Sequence, residues 1–391
     1  MSNTSQQNDF LFIDSEEALL SFCKDIADAD VLAVDTEFIR EKSYYSRLCL
    51  IQIATPQHIA CIDPLAIADI GPLLDILYDS NKIKVLHAAR QDLEIFFHLR
   101  GHVPMPLFDT QIAATVLGCG DQIGYSKLVE EFLDIPLEKG HARTDWGQRP
   151  LSKEQLHYAA NDVRYLIQLY PDITQRLNDL GRSEWPLEDF QALCEPELYT
   201  INPDTVWQRV SGHQRLKGIK LAILQALARW REELAISQDR PRKWVMSDDV
   251  MIALTQQAPE TPAQLLALRG LPPRIAEKYQ AELLALIATA KQLPKDKWPL
   301  NDKFQRPNAE QEALTDSLMS LLRLRSTQHS ITASALASRK DIEKLAMGER
   351  DLPLLHGWRA KLVGQDLLDM LTGKLKLQVN AGKLVALTID D

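Results

Sequence analysis

Cysteine is scarce in this sequence, no apolar run reaches membrane length, and there is no basic excess. Among the 391 residues the cysteines are Cys23, Cys49, Cys61, Cys119 and Cys194. No two stand at Cys-x-x-Cys spacing and an odd number makes a poor disulfide framework, so buried thiols in a reducing compartment are expected. No stretch is long enough to span a bilayer, and Met1 to Asn8 are neither basic nor apolar. A cytoplasmic chain is the expectation.

The formal net charge is −10, which rules out a uniformly basic surface but leaves room for a local basic face. From Trp207 to Ala290 the chain holds twelve Lys/Arg against eight Asp/Glu. Arg209, Arg215, Lys217 and Lys220 lie close together there, as do Arg240, Arg242 and Lys243. Such runs are usually solvated faces. The length exceeds one typical domain, and 45% hydrophobic residues can fill more than one core, so two or three domains are expected.

What the chain does have is a set of acids in suggestive places. Val31-Leu32-Ala33-Val34-Asp35-Thr36-Glu37-Phe38 reads as a buried strand, whose alternation puts Asp35 and Glu37 on one face, about 7 Å apart. Two carboxylates that close repel, and in a low-dielectric interior one takes up a proton unless a cation lies between them. A strand end with solvated acids would look the same, so the pair alone decides nothing. Lys84-Val85-Leu86-His87 reads as another strand, followed by a helix pattern that sets Asp92 in its first turn. That edge of an open α/β sheet is where sites gather. From Gln155 to Leu166 the apolar positions Leu156, Ala159, Val163 and Leu166 form one helical stripe. Tyr158 and Asp162 are four apart and share a face.

Asp35-Thr36-Glu37, His87-Ala88-Ala89-Arg90-Gln91-Asp92 and Tyr158-x-x-x-Asp162 resemble, in order, the three exonuclease motifs of the DEDD superfamily, tyrosine subclass. Thr144-Asp145-Trp146-Gly147-Gln148-Arg149-Pro150-Leu151, running into Tyr158-Ala159-Ala160-Asn161-Asp162-Val163, is similar to the ribonuclease D family. The likeness covers about the first half of the chain. His157, five residues before Asp162, also satisfies the histidine-subclass spacing. On a continuous helix it points roughly 140° away from Asp162, which favours Tyr158; a helix that began late would weaken that preference.

Hard oxygen donors without clustered Cys or His suit Mg²⁺ or Mn²⁺. Two such ions about 4 Å apart can activate water and neutralise the attacking and leaving oxygens of a phosphodiester. By resemblance, Asp35 would bridge the pair, Glu37 and Asp162 would hold the ion that carries the attacking water, and Asp92 would ligate mostly through waters. Tyr158 would orient that water, since a phenol with pKa near 10 is a poor base at neutral pH.

Residues 31–38, 47–55 and 58–63 read as successive strands. A helix around 70–79, a strand at 84–87, a helix at 89–99 and a short strand at Leu107-Phe108-Asp109 follow. This order fits the α/β ribonuclease H-like exonuclease domain that the resemblance implies, a mixed sheet flanked by helices over residues 1–200. Asp109 reads as a helix cap rather than a ligand. Beyond a connector punctuated by Pro186, Pro196 and Pro203 the strand signals fade.

Two helical segments, 206–291 and 301–391, repeat each other weakly. Leu265-x-x-Leu268-Arg269-Gly270 aligns with Leu352-x-x-Leu355-His356-Gly357, and Ser247-Asp248-Asp249-Val250 with Ser338-Arg339-Lys340-Asp341. Two unrelated small bundles would also fit. The first, with Arg242-Lys243-Trp244 and Leu268-Arg269-Gly270-Leu271, looks like an HRDC domain, a small all-α nucleic-acid-binding module. The second resembles a diverged copy without that aromatic-basic cluster. Lys374 to Leu387 alternates around Asn380-Ala381-Gly382 and suggests a hairpin.

The resemblance implies a metal-dependent 3′→5′ exoribonuclease that releases nucleoside 5′-monophosphates from the single-stranded 3′ ends of structured RNAs, tRNA precursors above all. The alternatives are a DNA 3′→5′ exonuclease of the same superfamily and a catalytically silent RNA-binding scaffold.

Overall fold

A computed structural model describes residues 9–137, 140, 144–301 and 306–389; the first eight residues, read above as no targeting segment, lie outside that range. The chain divides into two compact units. One comprises Met1–Glu37, Leu48–Leu198 and Arg306–Asp391, the other Phe38–Arg47 and Tyr199–Gln305.

The first unit is built on a six-stranded sheet of β1 (Leu11–Ile13), β2 (Val31–Ile39), β3 (Arg47–Ala54), β4 (Ile59–Ile62), β5 (Ile83–Leu86) and β6 (Leu107–Asp109), in the order β1-β4-β3-β2-β5-β6. β3 and β4 pair antiparallel, as a short Pro56-Gln57 turn requires, whereas β1 with β4, β2 with β5 and β5 with β6 are parallel. The sheet is therefore mixed. Its helices are α1 (Glu16–Asp25), α2 (Gly71–Leu77), α3 (Arg90–Arg100), α4 (Thr110–Leu117), α5 (Tyr125–Leu133), α6 (Lys153–Asp179) and α7 (Leu187–Leu193). Ala33, Ala54 and Val85 of the sheet pack with Val163, Leu166 and Ile167 of α6, so the odd-numbered residues of β2 face that helix. The proline-marked connector contains α7, whose Phe190 is buried.

Asp109 caps α4 as expected, accepting from Gln111 N at 2.8 Å and Ile112 N at 3.2 Å. Its other oxygen accepts from Ala89 N at 2.8 Å, in a turn where Ala88 takes a left-handed φ of 56°. One carboxylate thus fixes the starts of two helices, and α3 carries Asp92.

The same unit includes α13 (Ala309–Gln328), α14 (Ala333–Leu336), α15 (Arg339–Ala346), α16 (Gly357–Arg359) and α17 (Gln365–Leu371), then the antiparallel hairpin β7 (Leu375–Asn380) and β8 (Lys383–Thr388). Its turn is Ala381-Gly382, both at positive φ, as a tight hairpin demands. These helices share one core with the exonuclease segment: Leu318, Leu322, Ile342 and Trp358 pack with Ala114, Leu169, Ile173 and Phe190. Arg182 donates to the carbonyls of Val116 and His329 at 2.8 Å each. Gly118, at φ +94°, brings α4 so near Ser330 that any Cβ would collide with its carbonyl oxygen.

The second unit holds α8 (Ile219–Ser237), α9 (Arg242–Val245), α10 (Asp248–Gln257), α11 (Pro262–Leu266) and α12 (Pro273–Lys291). Its core contains Trp207, Leu224, Trp230, Met251, Leu254 and Leu283. Buried Arg231 donates to Asp248 at 2.8 Å and to the Met246 carbonyl at 3.0 Å. The Tyr44 hydroxyl donates to buried Glu232 at 2.6 Å, which docks the stretch after β2. No helix among the described residues is long and apolar enough to cross a membrane.

Candidate active site

β2 presents Asp35 and Glu37 toward α6, and α6 returns Asp162. Ligand oxygens of the three lie within 4.8 Å of one another. The helix is set in register by a capping box: Ser152 Oγ accepts from Gln155 N at 3.2 Å, and Gln155 Oε1 accepts from Ser152 N at 2.9 Å. Because α6 begins at Lys153, His157 sits well inside a continuous helix and turns away. It is exposed, with its ring edge-on to Phe10 at 5.2 Å. Tyr158 instead hydrogen-bonds to Asp162.

Asp92 does not join the close trio. It is buried, and it accepts a hydrogen bond from the Thr36 hydroxyl at 2.5 Å. Its charge nevertheless reaches both Asp35 and Glu37. The fold therefore brings three of the acids within 4.8 Å of one another and holds the fourth, Asp92, alongside through Thr36, a residue that no sequence motif marks.

All four carboxyls stand above the ordinary range. Burial, then Asp92, Asp162 and Glu37, push Asp35 well up. Burial with Asp162 and Asp92 raises Glu37 to about 9. Burial takes Asp162 to about 7 against the lowering bond from Tyr158, and Asp92 to about 6 against the bond from Thr36. Burial and the same acids raise the Tyr158 phenol. Mutually repelling, largely buried carboxylates with only oxygen donors are what a hard divalent cation relieves, because its charge favours the ionised form of each acid. The residues present fit such an ion.

Other groups close in on the site. The Tyr125 hydroxyl donates to the Asn161 carbonyl at 2.9 Å, and Asp162 and Asp35 act on it. Cys61 lies near the Leu156 carbonyl and feels Asp162, Asp35 and Glu37. Gln52, opposite Cys61 in the β3–β4 ladder, is fully buried. None of these carried a motif, because each is placed by tertiary packing rather than by local spacing.

A 3′-5′ exonuclease family model matches residues 10–178, and an HRDC domain model matches residues 220–287. Ribonuclease D of Sphingobium indicum is 40% identical over 378 residues, covering 95% of this chain and 97% of that one. The chain belongs to the ribonuclease D family. Ribonuclease D of Zymomonas mobilis is 39% identical over 97% of this chain and 98% of its own. The structure of Escherichia coli RNase D superposes with a TM-score of 0.82 at 32% identity, over 93% of this chain and 99% of that one. The chain is a 3′→5′ exoribonuclease with a mixed-sheet exonuclease domain and a helical C-terminal region that includes an HRDC domain. Ribonuclease D membership brings with it an RNA substrate and divalent-metal use.

Proposed function

We propose that the chain trims the single-stranded 3′ ends of structured RNAs, tRNA precursors among them, with two ions of Mg²⁺ or Mn²⁺ held by Asp35, Glu37, Asp92 and Asp162. The observation that carries this reading is the trio of carboxylates within 4.8 Å, with Tyr158 bonded to one of them. The Escherichia coli relative is described as an exoribonuclease involved in structured RNA processing, which supports the same substrate class here. When bound, the ions supply acidified water and charge neutralisation at the phosphodiester. The protein's share is placement. Asp35, Glu37 and Asp162 offer direct ligands, and Asp92, tethered by Thr36, serves at one remove. Tyr158, bonded to Asp162, would orient the attacking water by hydrogen bond rather than remove its proton, since burial keeps the phenol protonated at neutral pH.

The helical segment from about residue 301 reads as a diverged second HRDC-like copy, after an exonuclease domain over 1–200 and a first copy over 206–291. Matching positions support it. Ser247 caps α10 and Ser338 caps α15, while Gly270 and Gly357 both take positive φ. Five cysteines without disulfides suit a reducing cytoplasm.

The test is a metal titration with a 3′-extended tRNA and a matched DNA tail, alongside the metal-induced shift in melting temperature. Asp35→Asn and Asp162→Asn should abolish turnover and the thermal shift while leaving RNA binding largely intact. Full activity in either variant would overturn the ligand assignment.

A further inference from the structure

The loop that runs into α6 supplies none of the proposed ligands, yet a single side chain binds it firmly to the sheet. Arg149 Nε donates to Asp63 Oδ2 at 2.6 Å and Nη2 to Asp63 Oδ1 at 2.8 Å. Nη2 also donates to the Cys49 carbonyl at 2.7 Å, and Nη1 to the carbonyls of Trp146 at 2.8 Å and Gln148 at 2.9 Å. A guanidinium has five N–H donors, and the bonds number five. Asp63 is buried just beyond β4 and Cys49 lies in β3, so the clamp joins two strands to the loop.

The loop in turn carries Trp146, only 2% exposed, whose ring centroid lies 6.3 Å from that of Tyr158 at a tilt of 35°. Tyr158 bonds Asp162. A continuous line of contacts thus runs from Asp63 through Arg149 and Trp146 to the phenol. Lysine could not replace the arginine, because one ammonium cannot span a bidentate carboxylate and three separate carbonyls.

We propose that Arg149 is a positioning residue of the exonuclease reaction: by pinning the loop to Asp63 and Cys49 it holds Trp146 against Tyr158 and so fixes the hydroxyl beside Asp162. This rests on the reading of Tyr158 as the group that orients the attacking water. All five Arg149 donors are engaged on Asp63, Cys49, Trp146 and Gln148, so its effect on the reaction must pass through Tyr158.

The experiment is a double-mutant cycle on the full chain, with Arg149→Met, Tyr158→Phe and both together, measuring kcat and KM on an RNA with a single-stranded 3′ tail. Arg149→Met should lower kcat by about tenfold to a hundredfold, the usual effect of removing a group that orients a reacting one. KM for RNA and the metal concentration at half-maximal thermal shift should stay unchanged. In the Tyr158→Phe background the same substitution should cost less than about twofold, because groups acting as a unit are not additive. If Arg149→Met does not fold, Asp63→Asn, which breaks the ion pair and keeps the side-chain shape, takes its place in the cycle. Losses that multiply, or a change in KM or metal response, overturn the inference while leaving the site intact. Full kcat in Tyr158→Phe alone would instead overturn the reading of Tyr158.

Discussion

Thr36 donates its hydroxyl to Asp92 at 2.5 Å, and both side chains are buried. The threonine stands between Asp35 and Glu37 on β2, so one strand supplies two acids and the tether of a third. A bond to the charged form favours ionisation, and it opposes the burial that otherwise lifts Asp92. Thr36→Val keeps the shape and deletes the donor. It should raise the Asp92 pKa further and weaken metal binding by about tenfold to a hundredfold, as loss of a partner to a ligating group does. Thr36→Ser should bind like the wild type. Calorimetric metal titration of the three proteins decides it, and equal affinity in Thr36→Val would dispose of the tether.

The raised carboxyls predict how pH and metal act on stability. A carboxyl whose folded pKa exceeds its unfolded value of about 4 contributes stability that is fully present below that value and lost as pH rises through the folded one. With Asp92 raised to about 6, Asp162 to about 7 and Glu37 to about 9, the metal-free protein should lose stability progressively over that window. Divalent metal binds the ionised cluster, so its stabilisation should grow with pH. At a hundredfold excess over its dissociation constant it adds about 2.7 kcal/mol. Melting curves in EDTA and in Mn²⁺ should diverge more at pH 8.5 than at pH 5.5, and the divergence should vanish in Asp35→Asn/Glu37→Gln. An equal metal shift at both pH values would contradict the coupling.

Tyr158 and His157 make opposite predictions. Tyr158 lies against Asp162, whereas His157 is exposed and edge-on to Phe10. Tyr158→Phe should reduce kcat by about a hundredfold, the scale of losing a group that holds a reactant in its attacking position. His157→Ala should remain near wild type. If only the histidine variant lost activity, the water-orienting role would have to move to the imidazole.

The parts of the site that could be read from sequence are those set by local periodicity. Alternation alone aligned Asp35 with Glu37, a four-residue spacing aligned Tyr158 with Asp162, and the turn before α4 marked Asp109 as a cap. Thr36 with Asp92, and Arg149 with Asp63, are separated by 56 and 86 residues. Such pairs follow from which strands become neighbours, and no local pattern records that. The same holds for residues 306–391, whose helices read as a separate module yet contribute to the core around Leu169 and Phe190. Their apolar stripe shows that they pack on something and does not name the partner.

That shared core yields a stability prediction with its own control. Trp358 is 3% exposed, stacks on Trp185 with centroids 5.6 Å apart and planes 6° from parallel, and donates from Nε1 to Asp189 at 3.2 Å. Arg359 reinforces the contact by donating to both oxygens of Asp189, at 2.9 and 3.1 Å. Asp189 belongs to α7 of the exonuclease segment, so truncating Trp358 opens a cavity between that segment and the C-terminal helices and also unpairs one of the carboxylate's donors. Trp358→Ala should cost about 3–5 kcal/mol, the usual range for a buried tryptophan, and should lower the denaturant midpoint of the whole first unit. Trp244 is 55% exposed, beside Arg242 and Lys243, and Trp244→Ala should change stability by no more than about 0.5 kcal/mol. Denaturant unfolding followed by far-ultraviolet circular dichroism, with nuclease activity measured across the same transition, compares the two. If Trp358→Ala melted only the C-terminal helices and left the exonuclease activity transition where it was, the two segments would not form one cooperative unit.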